Sequence, residues 1–135
     1  MRDFDVQSIE LNVSRQKAFK IIADPLQLPS WAQAFASAGP GRAVMRTPDG
    51  EVEVGLDVVS ASNYGTVDWH MRFPNGDVTT ACSRVVEINP DRCIYSFILL
   101  PPPVPLEQLE GTLEAQSRTL AEELEALKSM LERHD

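Results

Sequence analysis

Residues 65–100 decide the fold, and they read GTVDWHMRFPNGDVTTACSRVVEINPDRCIYSFILL. Apolar and polar residues alternate along this stretch, and a period of two is typical of a strand with one buried face. Two turn signals interrupt the alternation, Asn75-Gly76 and Asn89-Pro90-Asp91. Asn-Gly between alternating residues indicates a hairpin, because both residues of a type I′ turn need positive φ. The stretch therefore predicts three consecutive antiparallel strands, which cover residues 65–73, 77–88 and 92–100.

The strand pattern continues toward the N-terminus. Asp49-Gly50 is another hairpin signal, and it separates two alternating stretches, 42–47 and 51–60. Much earlier, residues 9–13 alternate between apolar and polar side chains and predict a first strand. The sequence therefore predicts about six strands, most of them joined by short turns into an antiparallel meander.

Two short helices are predicted between the first strand and the meander. Ser14 suits an N-cap, and apolar residues over 18–23 recur at helical spacing. Asp24-Pro25 ends that helix, because the residue before a proline disfavours helical geometry. Residues 29–31 begin a second short helix, and Gly39-Pro40-Gly41 ends this helical section.

A long helix is predicted at the C-terminus, and the chain is therefore predicted to be α+β. Seven leucines spaced by three and four residues form one apolar stripe on a helix of roughly 40 Å, with polar Gln116 in the one gap. We expect the stripe to cover the sheet rather than form a coiled coil, because the meander needs a partner for its apolar face. The leucines are Leu106, Leu109, Leu113, Leu120, Leu124, Leu127 and Leu131. The acidic residues are predicted to form a solvated face and are Glu107, Glu110, Glu114, Glu122, Glu123 and Glu125.

The turns also predict which residues face this helix. A two-residue loop at Asn75-Gly76 places Trp69 opposite Cys82, and the next turn places Arg84 opposite Phe97. The Asp49-Gly50 turn agrees with this choice of face, because it places Met45 opposite Val54 on the inside. The predicted inner face is large and aromatic, and its members are Met45, Trp69, Met71, Phe73, Thr80, Arg84, Tyr95 and Phe97.

Arg84 is the charged residue of this predicted inner face, and an arginine is rarely buried without a partner. Tyr95 is its diagonal neighbour in the predicted register, so the two side chains can converge on one point. In one interpretation Arg84 anchors a carboxylate, enolate or quinone oxygen of a ligand through charge-assisted hydrogen bonds. In the other it forms a salt bridge to Glu110 or Glu114 of the C-terminal helix. The sequence leaves both interpretations open.

The opposite face of the sheet is predicted to carry an apolar patch. In the predicted register Val85, Ile94, Ile98 and Leu100 point outward and are adjacent. Contiguous exposed apolar residues indicate a partner surface, so we expect a homodimer or another partner to cover them. His70 falls on the same face and is predicted to be a solvated surface histidine.

Length and charge limit the class of protein. The 135 residues suit one domain, predicted to span residues 1–135, and the net charge of −8 disfavours nucleic acid and anionic membranes as partners. The apolar run before Pro101-Pro102-Pro103 is too short to span a membrane. Cys82 and Cys93 make neither a disulfide framework nor a zinc site, and the N-terminus lacks an apolar signal core. A cytoplasmic location with free thiols is therefore predicted.

The sequence predicts no cofactor, no metal and no catalytic residue. The two histidines, His70 and His134, have no cysteine or carboxylate cluster at metal-ligand spacing. Gly39-Pro40-Gly41 lacks the following Lys-Ser/Thr of a phosphate-binding loop. No nucleophilic triad is evident either.

Three segments resemble the START-like, or SRPBCC, superfamily, and in order they cover nearly the whole chain. Residues 8–19 resemble its opening strand and helix, and 23–31 its second helix with a tryptophan, Trp31. Residues 122–128 resemble the end of its long C-terminal helix. The resemblance implies a helix-grip fold, in which a curved antiparallel sheet wraps the long helix and leaves an apolar cavity.

The resemblance specifies the fold well and the activity poorly, since members of the superfamily include hormone and allergen-type binders, lipid carriers, a ubiquinone-binding group, and polyketide cyclases and aromatases. We therefore expect the inner face to line a cavity for a small hydrophobic ligand. A cyclase or aromatase with Arg84 and Tyr95 orienting a poly-oxygenated substrate is the alternative. A protein-interaction module that uses the outer patch is the third. The lack of a base among the predicted inner residues favours the binder over the enzyme.

Overall fold

A computed structural model describes the backbone of residues 4–47, 50–100 and 106–133, and their side chains apart from 47 and 106–113. The strands are β1 (Asp5–Leu11), β2 (Phe35–Gly39), β3 (Gly41–Thr47), β4 (Gly50–Ala61), β5 (Thr66–Arg72), β6 (Val78–Asn89) and β7 (Arg92–Leu100). The helices are α1 (Arg15–Ile22), the four-residue α2 (Leu28–Trp31) and α3 (Leu106–Glu132), with a single 3₁₀ turn at Pro25–Gln27. The predicted α+β class is confirmed.

The strands form one sheet in the order β1-β7-β6-β5-β4-β3-β2, and every neighbouring pair is antiparallel. The sequence does not predict the seventh strand, β2, because Phe35–Gly39 lies in the section that is predicted to be helical. It pairs with β3 across a tight reversal, where Gly41 adopts a φ of 87° that favours glycine. The meander from β2 to β7 is therefore continuous.

Local signals fix the helix ends as predicted. The Ser14 hydroxyl accepts a hydrogen bond from the Lys17 amide at 3.1 Å, which caps α1. Asp24 likewise accepts from the Leu26 amide at the start of the 3₁₀ turn. The two caps fix the first residues of α1 and of the 3₁₀ turn, whereas α2 has no side-chain cap.

Helix α3 packs on the inner face, with β1 as its main partner. The Gln7 side-chain amide donates to the Ser117 carbonyl at 2.8 Å, and Lys128 donates to the Glu10 carbonyl at 2.9 Å. The Glu132 carboxylate accepts from the Asn12 amide at 2.9 Å. Four leucines of the predicted stripe are buried in the core, namely Leu120, Leu124, Leu127 and Leu131. The side chains of Leu106, Leu109 and Leu113 lie outside the described residues.

The predicted β5–β6 register is wrong by one residue. Trp69 lies opposite Ala81 and not Cys82. The Gly76 amide donates to the Phe73 carbonyl at 3.0 Å, and the Phe73 amide donates to Asp77. The loop is therefore a type I turn followed by a glycine at positive φ, a three-residue connection. Pro74 explains it, because its fixed φ suits the second position of a type I turn.

The predicted β6–β7 register is also wrong by one residue over most of its length. Asn89 pairs with Arg92 as a two-residue turn requires, but Glu87 pairs with Cys93. Ile88 is therefore an extra residue in β6, and it forms a β-bulge. Because of the bulge, the inner residues of β6 lie beside the inner residues of both neighbouring strands, β5 and β7.

Because successive side chains of a strand point to opposite faces, an error of one residue exchanges the predicted inner and outer residues of β6. Its inner residues are Thr79, Ala81, Ser83 and Val85, and its outer residues include Thr80, Cys82, Arg84 and Val86. The β3–β4 register also differs, since Met45 lies opposite Val52 rather than Val54. A shift of two residues leaves the faces unchanged, so Met45 lies on the inner face as predicted.

Within the described residues, no helix is long and apolar enough to cross a membrane.

Candidate functional site

The inner face of the sheet carries a cluster of buried aromatic rings. Trp69 on β5 and Phe97 on β7 stack with ring centroids 5.5 Å apart and planes at 27°. Their strands flank β6 and are separated by about 9–10 Å. The rings can meet across β6 because its inner positions there hold small residues, Ala81 and Ser83.

Helix α2 completes this cluster from the other side. Trp31 lies 6.4 Å from both Trp69 and Tyr95, measured between ring centroids, and Tyr95 packs edge-on to Phe97 at 6.2 Å. Trp31 is therefore a buried residue that packs α2 against the rings of the sheet. The four rings form an apolar platform between the sheet and α3.

Three polar atoms in this interior are buried without a hydrogen-bond partner among the described residues. They are the Tyr95 hydroxyl, the Trp31 Nε1 and the Gln116 Oε1. The nearby Ser83 hydroxyl donates to the Val67 carbonyl at 2.7 Å. Burial raises the pKa of Tyr95 well above its usual value, although the neighbouring Ser83 hydroxyl partly opposes the shift, so the phenol stays protonated. Unpaired buried polar groups are rare in proteins, and they often mark a bound water or ligand.

A buried carboxylate lies beside these groups. Glu123 on α3 is 8% exposed and accepts a hydrogen bond from the Ala34 amide at 2.9 Å. Burial raises the pKa of Glu123 to about 7, although the amides of Ala34 and Gln33 partly oppose the shift. Its charge also contributes to the raised pKa of Tyr95. Glu123 therefore joins α3 to the loop after α2 and titrates near neutral pH.

The prediction that Glu123 belongs to a solvated face is wrong, whereas Glu114, Glu122 and Glu125 are exposed as predicted. A signal was present in the sequence. Glu123 follows Leu120 by three residues and precedes Leu127 by four, so it lies within the leucine stripe. Gln116 interrupts the same stripe and is partly buried. The side chains of Glu107 and Glu110 lie outside the described residues.

Six of the eight predicted cavity residues do lie on the inner face. Trp69, Met71, Tyr95 and Phe97 are buried, and Met45 and Phe73 are partly buried against the core. Their role as ligand contacts stays a prediction.

The placement of Thr80 and Arg84 on the inner face is wrong. Arg84 lies on the outer face, where its Nε donates to the Tyr64 carbonyl at 3.0 Å. Thr80 hydrogen-bonds His70 on the same outer face at 3.3 Å. The face that carries Arg84 points away from α3, so neither of the two interpretations of Arg84 applies. Both errors follow from the β6 register.

The outer face does carry exposed apolar residues, but their set differs from the predicted one. Val85 is buried at 1% exposure, so its assignment to the outer patch is wrong. Ile94, Ile98 and Leu100 point outward and are partly exposed. Val6 lies directly opposite Ile98, and Val86 directly opposite Ile94, so both extend the patch.

Two surface depressions lie away from the aromatic cluster. One of about 590 Å³ follows β4, and one of about 380 Å³ lies at the β2–β3 hairpin. In the part of the chain that the structure describes, no three His, Cys, Asp or Glu side chains are grouped to hold a metal ion.

The fold is similar to several solved structures. The Zhui aromatase/cyclase from Streptomyces sp. R1128 aligns with a TM-score of 0.79 and 11% identity, over 96% of this chain and 93% of that one. A START superfamily protein from Mycobacterium smegmatis aligns with a TM-score of 0.70 and 13% identity, over 98% and 99%. The chain has the START-like helix-grip fold. The resemblance predicted from the sequence is thereby confirmed at the level of the fold.

A third match is the protein XoxI from Bacillus cereus, with a TM-score of 0.72 and 15% identity over 96% of both chains. No protein-family model matches the sequence, and no curated protein does. These identities are low and establish the fold alone, because one fold hosts many functions. Function has to be argued from the site of this chain.

Proposed function

We propose that residues 1–135 form one ligand-binding domain, which holds a small apolar molecule between the inner face of the sheet and α3. Its ligand carries a hydrogen-bond acceptor such as a carbonyl or quinone oxygen. The observation that supports this most is the pair of unpaired donors, the Tyr95 hydroxyl and the Trp31 Nε1, within an otherwise apolar aromatic cluster. Ligand sites are typically apolar with a few convergent polar groups.

The residues proposed to contact the ligand are those of the inner face. Trp69, Phe97 and Tyr95 supply aromatic surface, and Met45 and Met71 adapt to irregular apolar shapes. The Tyr95 hydroxyl stays protonated because burial raises its pKa, so it remains a donor over the physiological range. Small hydrophobic molecules of the aromatic, quinone or lipid-like kind fit this description.

Probe binding tests the proposal. We expect the protein to enhance the fluorescence of anilinonaphthalene sulfonate, and we expect Trp69→Ala to weaken that binding by about tenfold. Arg84→Met is the matched control, because Arg84 lies on the outer face and should leave probe binding unchanged. If the native protein binds no probe, or if both variants bind it equally, the interior is a packed core and the proposal fails. Native mass spectrometry of protein from its own host then identifies the ligand.

A second candidate is an enzyme of the cyclase or aromatase kind, and Glu123 favours it. A buried carboxylate whose pKa is raised to about 7 can exchange protons near neutral pH, as general acid–base chemistry requires. Binding without catalysis is still preferred, because Glu123 already accepts hydrogen bonds from the backbone of the α2–β2 loop. Turnover of a poly-β-carbonyl substrate that is lost in Glu123→Gln would reverse this preference.

A third candidate is an interaction module that uses the outer face. Val6, Ile98 and Cys82 are direct cross-strand neighbours there, and Ile98 is 39% exposed. We expect Ile98→Glu to weaken association while the fold is kept. A wild-type chain that is strictly monomeric at high concentration in the ultracentrifuge would exclude a homodimer through this face. The homodimer and the cytoplasmic location stay predictions.

A further inference from the structure

The C-terminal part of β4 extends past the first residue of β3. The chain reverses at Pro40-Gly41, so the last β3–β4 pair is Gly41 with Leu56. Strand β4 continues to Ala61, and residues 57–61 are held extended by β5 through the last pair, Ala61 with Thr66. Among the described residues, no strand pairs with the other edge of 57–61.

The direction of the backbone groups at this edge follows from the next turn. The Ala61 carbonyl accepts hydrogen bonds from the Tyr64 and Gly65 amides at 3.1 and 2.9 Å, so it points toward the β5 side. In an antiparallel strand, successive residues direct their N–H and C=O groups to opposite edges. Val58 and Ser60 therefore present their N–H and C=O groups to the open edge.

The β1 edge of the sheet is protected against strand addition. The Lys128 ammonium donates a hydrogen bond to the Glu10 carbonyl at 2.9 Å. The Glu132 carboxylate accepts one from the Asn12 backbone amide at 2.9 Å. Asp5 points inward from the same strand and is buried. Covered backbone groups and inward-pointing charges are among the devices that protect natural sheet edges.

The β2 edge is short and contains a bulge between Phe35 and Ser37. Residues 57–61 of β4 have no such protection, since they contain no lysine, no proline and no bulge. The one charged side chain, Asp57, is paired with Arg72. Val58 and Val59 favour an extended strand. An unprotected edge of this kind is a template for another strand.

The depression of about 590 Å³ runs along this edge and has two different sides. Ala23, Pro25 and Val58 line it on the side of the inner face. Asp57 and His70 line it on the side of the outer face. Side chains of an added strand would alternate between these sides, apolar inward and polar outward.

We propose that residues 57–61 of β4 bind an extended peptide segment, which adds to the sheet as a further strand. Main-chain hydrogen bonds to Val58 and Ser60 supply the affinity, and the two sides of the depression select alternate side chains. The inward positions of the peptide are apolar and the outward ones basic. The basic preference follows from charge complementarity with the outer Asp68, which is the β5 partner of Val59, and with the net charge of −8.

A displayed library of random heptapeptides, selected on the immobilised full chain, tests the proposal. We expect enriched sequences that alternate β-branched or aromatic residues with lysine or arginine. Their binding should fall by at least about tenfold in Ser60→Pro, which removes the Ser60 N–H at an exposed edge position. Ser60→Thr is the matched control, because it keeps the N–H and should bind as the wild type does.

Two further measurements keep the test independent of how Ser60→Pro folds. Methylation of alternate amides of an enriched peptide should abolish binding in one register and spare it in the other. Bound peptide should also slow hydrogen exchange at the Val58 and Ser60 amides. No enriched sequence, or enriched peptides that bind wild type and Ser60→Pro equally while both are folded, would overturn the proposal. So would an enriched peptide that binds without slowing hydrogen exchange at these amides.

Discussion

The two faces of strands β5, β6 and β7 differ in how their polar groups are satisfied. On the outer face, Arg84 and Thr80 have hydrogen-bond partners, Tyr64 and His70. On the inner face, the Tyr95 hydroxyl is fully buried and unpaired, and Glu123 carries a pKa raised to about 7. Polar groups that are few, buried and incompletely paired belong to the face where a ligand would bind. The comparison therefore supports the proposal that a ligand binds on the inner side.

Substitutions at two neighbouring residues of β7 test the contrast between the two faces, and they have the largest expected effect on the free energy of unfolding. Phe97 is 8% exposed on the inner face and Ile98 is 39% exposed on the outer face. Phe97→Ala should lower the free energy of unfolding by about 3–5 kcal/mol, because it removes a stacked ring from the core. Ile98→Ala should lower it by about 1 kcal/mol or less. Urea denaturation measures both values.

Equal losses in the two variants would break the comparison. Such a result would mean that Ile98 is buried in solution, and that a partner covers the outer face. Sedimentation at several protein concentrations would then show whether the partner is a second copy of the chain.

Glu123→Gln tests the buried carboxylate. Because its folded pKa of about 7 lies above the ordinary 4.5, the carboxyl binds its proton more tightly when folded. Its stabilising contribution is therefore complete below about pH 4.5 and is lost as the pH rises through about 7. The loss amounts to about 3 kcal/mol. Urea unfolding across about pH 5 to 8 should show wild type losing stability relative to Glu123→Gln.

Glu125→Gln is the control, because Glu125 is exposed two residues further along α3 and, unlike Glu122, is not among the groups that raise the pKa of Glu123. It should keep the pH dependence of the wild type. Parallel curves for wild type and Glu123→Gln would show that Glu123 titrates normally. The contrast between the inner and outer faces would then rest on Tyr95 and Trp31 alone.

The sequence predicted the architecture because its signals are periodic and local. Alternation placed five of the seven strands within a few residues, and the leucine stripe placed α3 on the sheet. Ser14 marked the start of α1 through its capping bond. The first strand, β1, was also predicted. The residues of β2 do not alternate clearly enough to distinguish a strand from a helix.

The sequence did not predict the polar part of the site, because one residue in a turn reverses a whole strand. Pro74 lengthens the β5–β6 loop, and the extra Ile88 reconciles the next pairing. Together they move Arg84 outward and Ser83 inward. Glu123 was missed for another reason: its charge outweighed its position in the leucine stripe. Both errors concern polar residues whose burial depends on tertiary partners.

Tyr95→Phe is expected to have a smaller effect, and its sign is informative. Removal of a buried hydroxyl that lacks a partner should raise the free energy of unfolding of the ligand-free protein by about 1 kcal/mol. The same change should weaken ligands that present a carbonyl oxygen. Tyr64→Phe is the outer control, since Tyr64 is largely exposed and should change neither quantity. A destabilised Tyr95→Phe would mean that a protein group or a water pairs the hydroxyl.

The two cysteines give the mildest test, because thiol labelling reads the two faces of the sheet without any substitution. Cys82 lies on the outer face and is partly exposed, whereas Cys93 is buried on the inner face. Burial raises the pKa of both thiols, so both should react slowly at neutral pH and faster as the pH rises. A chromogenic disulfide reagent should label Cys82 first in the native protein and should titrate two thiols after unfolding.

The two cysteines are too far apart for a disulfide. Cys82 pairs with Ile98, which lies five residues along β7 from Cys93, a distance of roughly 17 Å. Labelling of Cys93 before Cys82 would reverse the assignment of faces, and the absence of free thiols in fresh monomer would contradict the register of β6 and β7.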